Sequence, residues 1–104
     1  MKYGLTDETL ARMEGVFAKF PAVDQVLLYG SRAKGNYRPG SDIDLTFLGD
    51  GVDEKLMSQI EAELEELLLP YQFDLSIFSK ITHPELIDHI QRLAKVCYSK
   101  KSEP

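Results

Sequence analysis

Helix-like and strand-like segments alternate along these 104 residues, and the alternation predicts an α/β (α+β) fold, a small twisted mixed β-sheet with helices packed on one side. Three observations carry that prediction. Val26-Leu27-Leu28-Tyr29 is an apolar, β-prone run; Ile43, Leu45 and Phe47 place apolar residues at every second position; Leu56, Ile60, Leu64, Leu67 and Leu68 form one broad apolar face at helical spacing.

Taken in order, Leu5-Thr6-Asp7-Glu8 reads as a helix entry, with Thr6 as N-cap, acids in the first turn and Leu5 placed to meet Leu10 as a hydrophobic staple. Leu10, Met13, Phe17 and Phe20 follow at helical spacing, and Pro21 stops the helix. A first strand is expected from about Gln25 to Tyr29, then a short helix or turn from Arg32 to Tyr37. Arg38-Pro39-Gly40-Ser41 fits a type II turn, with proline pre-set at the second position and glycine free to take positive φ at the third. The second strand breaks at Gly49-Asp50-Gly51, and Asp53 caps a helix running to about Leu69. Pro70 ends it, and a third strand begins near Tyr71. Thr82 and Glu85 suggest a capping box for a last helix, whose buried side is Leu86, Ile87, Ile90 and Leu93. Val96-Cys97-Tyr98 adds a short edge strand, and residues 98–104 read as a loose tail of a single domain spanning 1–104.

Composition narrows the class. A 43% hydrophobic content suits two packed layers, and the apolar stretches are short and charge-interrupted, so no membrane span and no signal peptide is expected; a soluble, cytoplasmic protein follows. The single cysteine, Cys97, reads as a buried structural thiol, and His83 and His89 lack partners at metal-ligand spacing and read as structural or surface residues. A formal net charge of −5 argues against nonspecific nucleic-acid binding. Positive charge is local instead: Arg32, Lys34 and Arg38 cluster around Gly30-Ser31, as a small anionic substrate requires.

The chemistry concentrates in Tyr29-Gly30-Ser31-Arg32-Ala33-Lys34-Gly35 and Ser41-Asp42-Ile43-Asp44-Leu45. Period-2 geometry sends Ile43, Leu45 and Phe47 to one face of the strand and leaves Asp42 and Asp44 together on the other. Two carboxylates held a few ångströms apart raise one another's pKa unless a cation lies between them, and a hard divalent ion with oxygen ligands is the natural candidate. Upstream, Gly30 lets the backbone approach a ligand, Ser31 offers a hydroxyl and an N–H, and Arg32 and Lys34 bring charge. Free N–H groups at the start of the short helix add to phosphate binding at Ser31. The loop is no Walker A element, because Asn36 and Tyr37 stand where Lys and Ser/Thr are required.

Gly-Ser, ten residues, then Asp-x-Asp resembles the signature of the polymerase-β-like nucleotidyltransferases, and most of all their minimal members, the MntA-like antitoxins of HEPN/MNT toxin–antitoxin pairs. The resemblance spans residues 26–78 by motif and implies the nucleotidyltransferase fold. It implies a third carboxylate on a later strand, matched by Asp74 within Phe73-Asp74-Leu75-Ser76-Ile77-Phe78. Asp42, Asp44 and Asp74 are then the catalytic and metal-binding residues, holding two Mg²⁺ ions (Mn²⁺ in their stead). Gly30, Ser31, Arg32 and Lys34 are the nucleotide-binding residues. The implied reaction moves AMP from ATP, or a nucleoside monophosphate from another triphosphate, onto a hydroxyl. The implied acceptor is a tyrosine of a helical HEPN toxin partner, which would be neutralised. Two alternatives compete: a non-catalytic nucleotide-binding scaffold that inhibits its partner by binding alone, and the catalytic chain of a two-chain small-molecule nucleotidyltransferase.

Overall fold

A computed structural model describes residues 1–100. Helix α1 (Asp7–Phe17) leads to strand β1 (Gln25–Tyr29), a one-turn helix α2 (Ser31–Lys34) and strand β2 (Ile43–Leu48). Helix α3 (Glu54–Glu66) then crosses to strand β3 (Phe73–Ile77), and a 3₁₀ turn, helix α4 (Pro84–Leu93) and strand β4 (Lys95–Ser99) follow. The sheet order is β3-β2-β1-β4. Strand β1 lies antiparallel to both β2 and β4, whereas β2 and β3 are parallel. Mixed pairing follows from connection length, since a parallel neighbour needs a long crossover and α3 supplies it.

The caps explain where the helices begin. Thr6 Oγ1 accepts from the Thr9 N–H at 3.1 Å and Asp53 Oδ1 accepts from the Leu56 N–H at 2.9 Å, as expected from sequence. At α4 the expected Thr82–Glu85 box does not form. Proline at the first helical position makes the preceding residue the cap, so His83 occupies it, with Nδ1 facing the Leu86 N–H at 3.4 Å. Helix α1 ends at Phe17, earlier than Pro21 suggests, and Phe20 lies beyond it. Of the tail expected from residue 98, Tyr98 and Ser99 belong to β4, and the Lys100 N–H donates to the Asp24 carbonyl at 2.8 Å; residues 101–104 lie outside the described part.

One face of the sheet makes the main core. Val26, Leu28, Ile43, Leu45 and Phe47 are fully buried against Met13 and Phe17 of α1 and Ile60 and Leu64 of α3. Phe17 meets Phe47 edge-on, with ring centroids 5.5 Å apart and planes at 82°. Burying each such side chain contributes about 1.5–3 kcal/mol. The expectation of helices on one side holds for α1 and α3. Helix α4 reaches the opposite face, where the His89 ring packs edge-on against Tyr29. Cys97 is buried, and burial, with the nearby Glu14 charge adding to it, pushes its thiol pKa up to about 12. Among the described residues no helix is long and apolar enough to cross a membrane.

Candidate active site

Strand register builds the site. Tyr29 pairs with Asp44, and Asp44 pairs with Asp74, so three adjacent strands carry these side chains in one row on the face away from the main core. Asp42 sits one residue before β2 and is exposed, as is Asp74. Asp44, between them, is half-buried. Its pKa is raised, first by burial, then by the charge of Asp74, then by that of Asp42. Two strands and a turn therefore deliver three carboxylates, with the charges of Asp74 and Asp42 both acting on Asp44.

The turn that aims Asp42 forms as expected. The Ser41 N–H donates to the Arg38 carbonyl at 3.0 Å, Gly40 takes φ +84°, and Ser41 Oγ accepts from the Arg38 N–H at 2.8 Å. Beside it, the Gly-Ser corner presses directly on the aspartate row. Gly30 has φ +76°, and a Cβ built there would overlap Asp44 Oδ2. Glycine is thus required twice, for the backbone angle and for the space. Ser31 opens α2 next to it, and Lys34, in the last turn, is exposed.

Arg32 departs from the expectation of a phosphate-facing arginine. Only 2% of it is exposed, and its donors go to backbone carbonyls: Nη2 to Ser41 at 2.8 Å, Nε to Ser41 at 3.2 Å and Nη1 to Tyr3 at 2.9 Å. The guanidinium carbon lies 5.3 Å from the Tyr37 ring centroid and 4.9 Å from that of Tyr71. Lys34 and Arg38 are left as the exposed cations near the loop.

Two residues of the site carried no functional assignment from sequence. Tyr29 shares the aspartate row. Burial raises its hydroxyl pKa, Ser76 opposes that shift, and the charges of Asp74 and Asp44 add to it, so the hydroxyl keeps its proton at neutral pH. His89 accepts the Gly30 N–H at Nε2 over 3.1 Å. The signal for His89 was its place between Leu86, Ile90 and Leu93 on the apolar stripe of α4, which turns it toward the sheet.

The chain matches the family described as Polymerase beta, Nucleotidyltransferase over residues 12–103. It belongs to that nucleotidyltransferase family. Comparison with the curated proteins gives no match. Among solved structures, a toxin–antitoxin complex with AMP-PNP is similar with a TM-score of 0.69 at 18% identity, over 93% of this chain and 76% of that one. The MntA–HepT toxin–antitoxin aligns with a TM-score of 0.67 at 15% identity, over 91% and 74%. A tri-AMPylated Shewanella oneidensis HEPN toxin in complex with MNT antitoxin gives 0.67 at 15% identity, over 92% and 74%. At these identities the likeness establishes the fold alone, the nucleotidyltransferase fold that the family match also gives.

Nucleotidyltransferase domains of this fold generally use divalent metals, and the donor set suits one. Among the described residues no three His, Cys, Asp or Glu side chains converge closely enough to cage an ion on their own. A magnesium-type site does not need such a cage, because Mg²⁺ is commonly held by one or two carboxylates with the remaining positions filled by substrate phosphates and water. Hard oxygen donors on Asp44, strained by Asp74 and Asp42 and pressed against a glycine turn, fit that pattern.

Proposed function

We propose that this nucleotidyltransferase domain transfers AMP from ATP onto a hydroxyl, with a tyrosine of a HEPN-type helical toxin as the acceptor, and so acts as an antitoxin. The observation that carries the reading is the apposition of Gly30 and Asp44: the phosphate-type turn and the carboxylate row lie so close that a Cβ at Gly30 would overlap Asp44 Oδ2. Solved complexes of similar fold, described with AMP-PNP and with a tri-AMPylated HEPN toxin, supply the choice of nucleotide and acceptor.

In this reading Ser31, the Gly30 backbone and Lys34 hold the triphosphate, while Asp42, Asp44 and Asp74 would hold the divalent ions. Held by these carboxylates, Mg²⁺ or Mn²⁺ would supply neutralisation of phosphate charge and a lowered pKa at the acceptor hydroxyl. Asp74, exposed at the edge strand, accepts the acceptor's proton. The acceptor oxygen then bonds to the α-phosphorus, the bond from that phosphorus to the bridging oxygen breaks, and pyrophosphate leaves with the electron pair. Tyr29, protonated in the same row, adds no charge beside these carboxylates.

The test is transfer of label from α-phosphate-labelled ATP with Mg²⁺ into lysate of the source cell and into a purified HEPN partner, comparing wild type with Asp44→Asn. An Asp44-dependent labelled protein band, with loss of the partner's ribonuclease activity, supports the proposal. Label confined to a small-molecule fraction moves the acceptor to that class. A partner still neutralised by the Asp42→Asn, Asp44→Asn double variant makes the chain a binding-only inhibitor.

A further inference from the structure

We infer that Arg32 is a positioning residue rather than a phosphate ligand: it locks the Gly-Ser corner, the Asp42 end of β2 and the approach to β3 into one rigid unit. The inference rests on the nucleotidyl-transfer reading for its catalytic consequence and on geometry alone for its structural one.

A buried cation is costly unless its hydrogen bonds are met, and none of the three ion pairs among the described residues includes Arg32. Nothing in simple packing demands a guanidinium there; an apolar side chain fills such space at lower cost. What a planar fork does uniquely is bond several acceptors in fixed directions. Here those acceptors come from separate parts of the chain. Two bonds reach the carbonyl of Ser41, the residue immediately before Asp42. A third reaches the carbonyl of Tyr3, which sits at φ +58° in the tight Lys2–Leu5 turn. The guanidinium face lies against Tyr71, and the neighbouring Gln72 carbonyl accepts the Ile43 N–H at 2.9 Å, tying Asp42's other neighbour to the start of β3.

Arg32 itself follows Ser31 directly. Its backbone thus moves with the Gly-Ser corner while its side chain holds the residue before Asp42 and a ring three residues before Asp74. The N-terminal turn closes the assembly from outside, because a Cβ at Gly4 would press on both Arg32 and the Tyr37 ring. A single side chain therefore fixes the separation between the turn that meets phosphate and the carboxylates that meet metal. Exposed Lys34, two residues on, remains available to the phosphate.

The experiment compares wild type, Arg32→Met, Arg32→Lys and Tyr71→Leu as full chains. Affinity for a non-hydrolysable ATP analogue with Mg²⁺ is measured by calorimetry, transfer turnover by label, and amide exchange by NMR at Ser41 and Ile43 against Val26 and Leu28. A positioning role predicts analogue affinity within about threefold of wild type, turnover down on the order of 10- to 100-fold, and faster exchange at Ser41 and Ile43 with Val26 and Leu28 unchanged. Arg32→Lys, which keeps the charge and loses the fork, should resemble Arg32→Met. Analogue affinity weakened tenfold or more with unaltered Ser41 and Ile43 exchange would make Arg32 a phosphate ligand and overturn the inference. A lowered melting temperature with full turnover at a temperature where the variant is folded would reduce it to packing. If Arg32→Met does not fold, Tyr71→Leu carries the same comparison with a smaller shift expected. If wild type transfers no label, the proposed function fails, and the exchange pattern alone still decides whether Arg32 fastens Ser41 and Ile43.

Discussion

A side chain at Gly30 meets two independent obstacles. The backbone angles, φ +76° and ψ −153°, lie in a region open essentially to glycine and cost an L-residue on the order of 1–3 kcal/mol, and the new Cβ would occupy the space of Asp44 Oδ2. Gly30→Ala should therefore stay folded with a modestly lower melting temperature and lose transfer activity by on the order of 100-fold, measured by thermal circular dichroism beside label transfer. Asp44 works in the opposite sense. Its folded pKa is raised, so the folded protein holds the proton more tightly than the unfolded chain does. The stability this group contributes is present at pH below the ordinary carboxylate pKa and is lost as pH rises through that value to the raised one. At neutral pH without divalent metal, Asp44 is then a destabilising charge. Asp44→Asn should raise the melting temperature at pH 7 in EDTA, leave it nearly unchanged near pH 3, and abolish transfer. A variant that melts lower than wild type in EDTA at pH 7 would show that the carboxylate is stabilised by contacts other than those described.

Elements were legible in the sequence where one local rule decided them. Thr6 and Asp53 cap their helices because their side chains alone can reach the first free N–H groups. Ile43, Leu45 and Phe47 alternate because β2 has one buried face, and the parity that buries them brings Asp44 to the row with Asp74. Reasoning from local pattern stopped where a partner came from far along the chain. Arg32 next to Gly-Ser reads as a phosphate ligand until Tyr3, Ser41 and Tyr71 fold around it. His89 reads as a structural or surface residue, and its structural role becomes specific only when α4 crosses β1 and brings it to an amide 59 residues away. The end of α3 offers a purely local test. Leu68 is 88% exposed and sits at φ +55°, just beyond the helix, where glycine is the favoured residue. Leu68→Gly removes little buried surface and relieves that angle. It should stabilise the fold by about 0.5–1 kcal/mol, read as a higher urea midpoint with unchanged slope.

At the scale of the whole molecule, charge decides how a nucleotide can bind. The chain carries a formal net charge of −5, and the face with Asp42, Asp44 and Asp74 repels a triphosphate unless cations intervene. Lys34 and Arg38 are exposed on one side only, beside the Gly-Ser corner, so they can steer the phosphate but do not neutralise the aspartates. Nucleotide and divalent metal should therefore bind as a linked pair and stabilise only the folded chain. At a free Mg²⁺–ATP concentration 100 times its Kd, linkage gives about 2.7 kcal/mol, which for a domain of this size is a rise of roughly 10 °C or more in melting temperature. ATP with EDTA should give almost none of that rise, and Mg²⁺ alone only the part that relief of the Asp44 repulsion supplies. The Asp42→Asn, Asp44→Asn double variant should start from a higher melting temperature in EDTA and gain little from Mg²⁺–ATP. A thermal shift series over these four conditions separates the terms. Equal stabilisation of wild type and double variant by Mg²⁺–ATP would place the nucleotide away from the aspartate row, because a ligand that needs those carboxylates cannot bind as well without them.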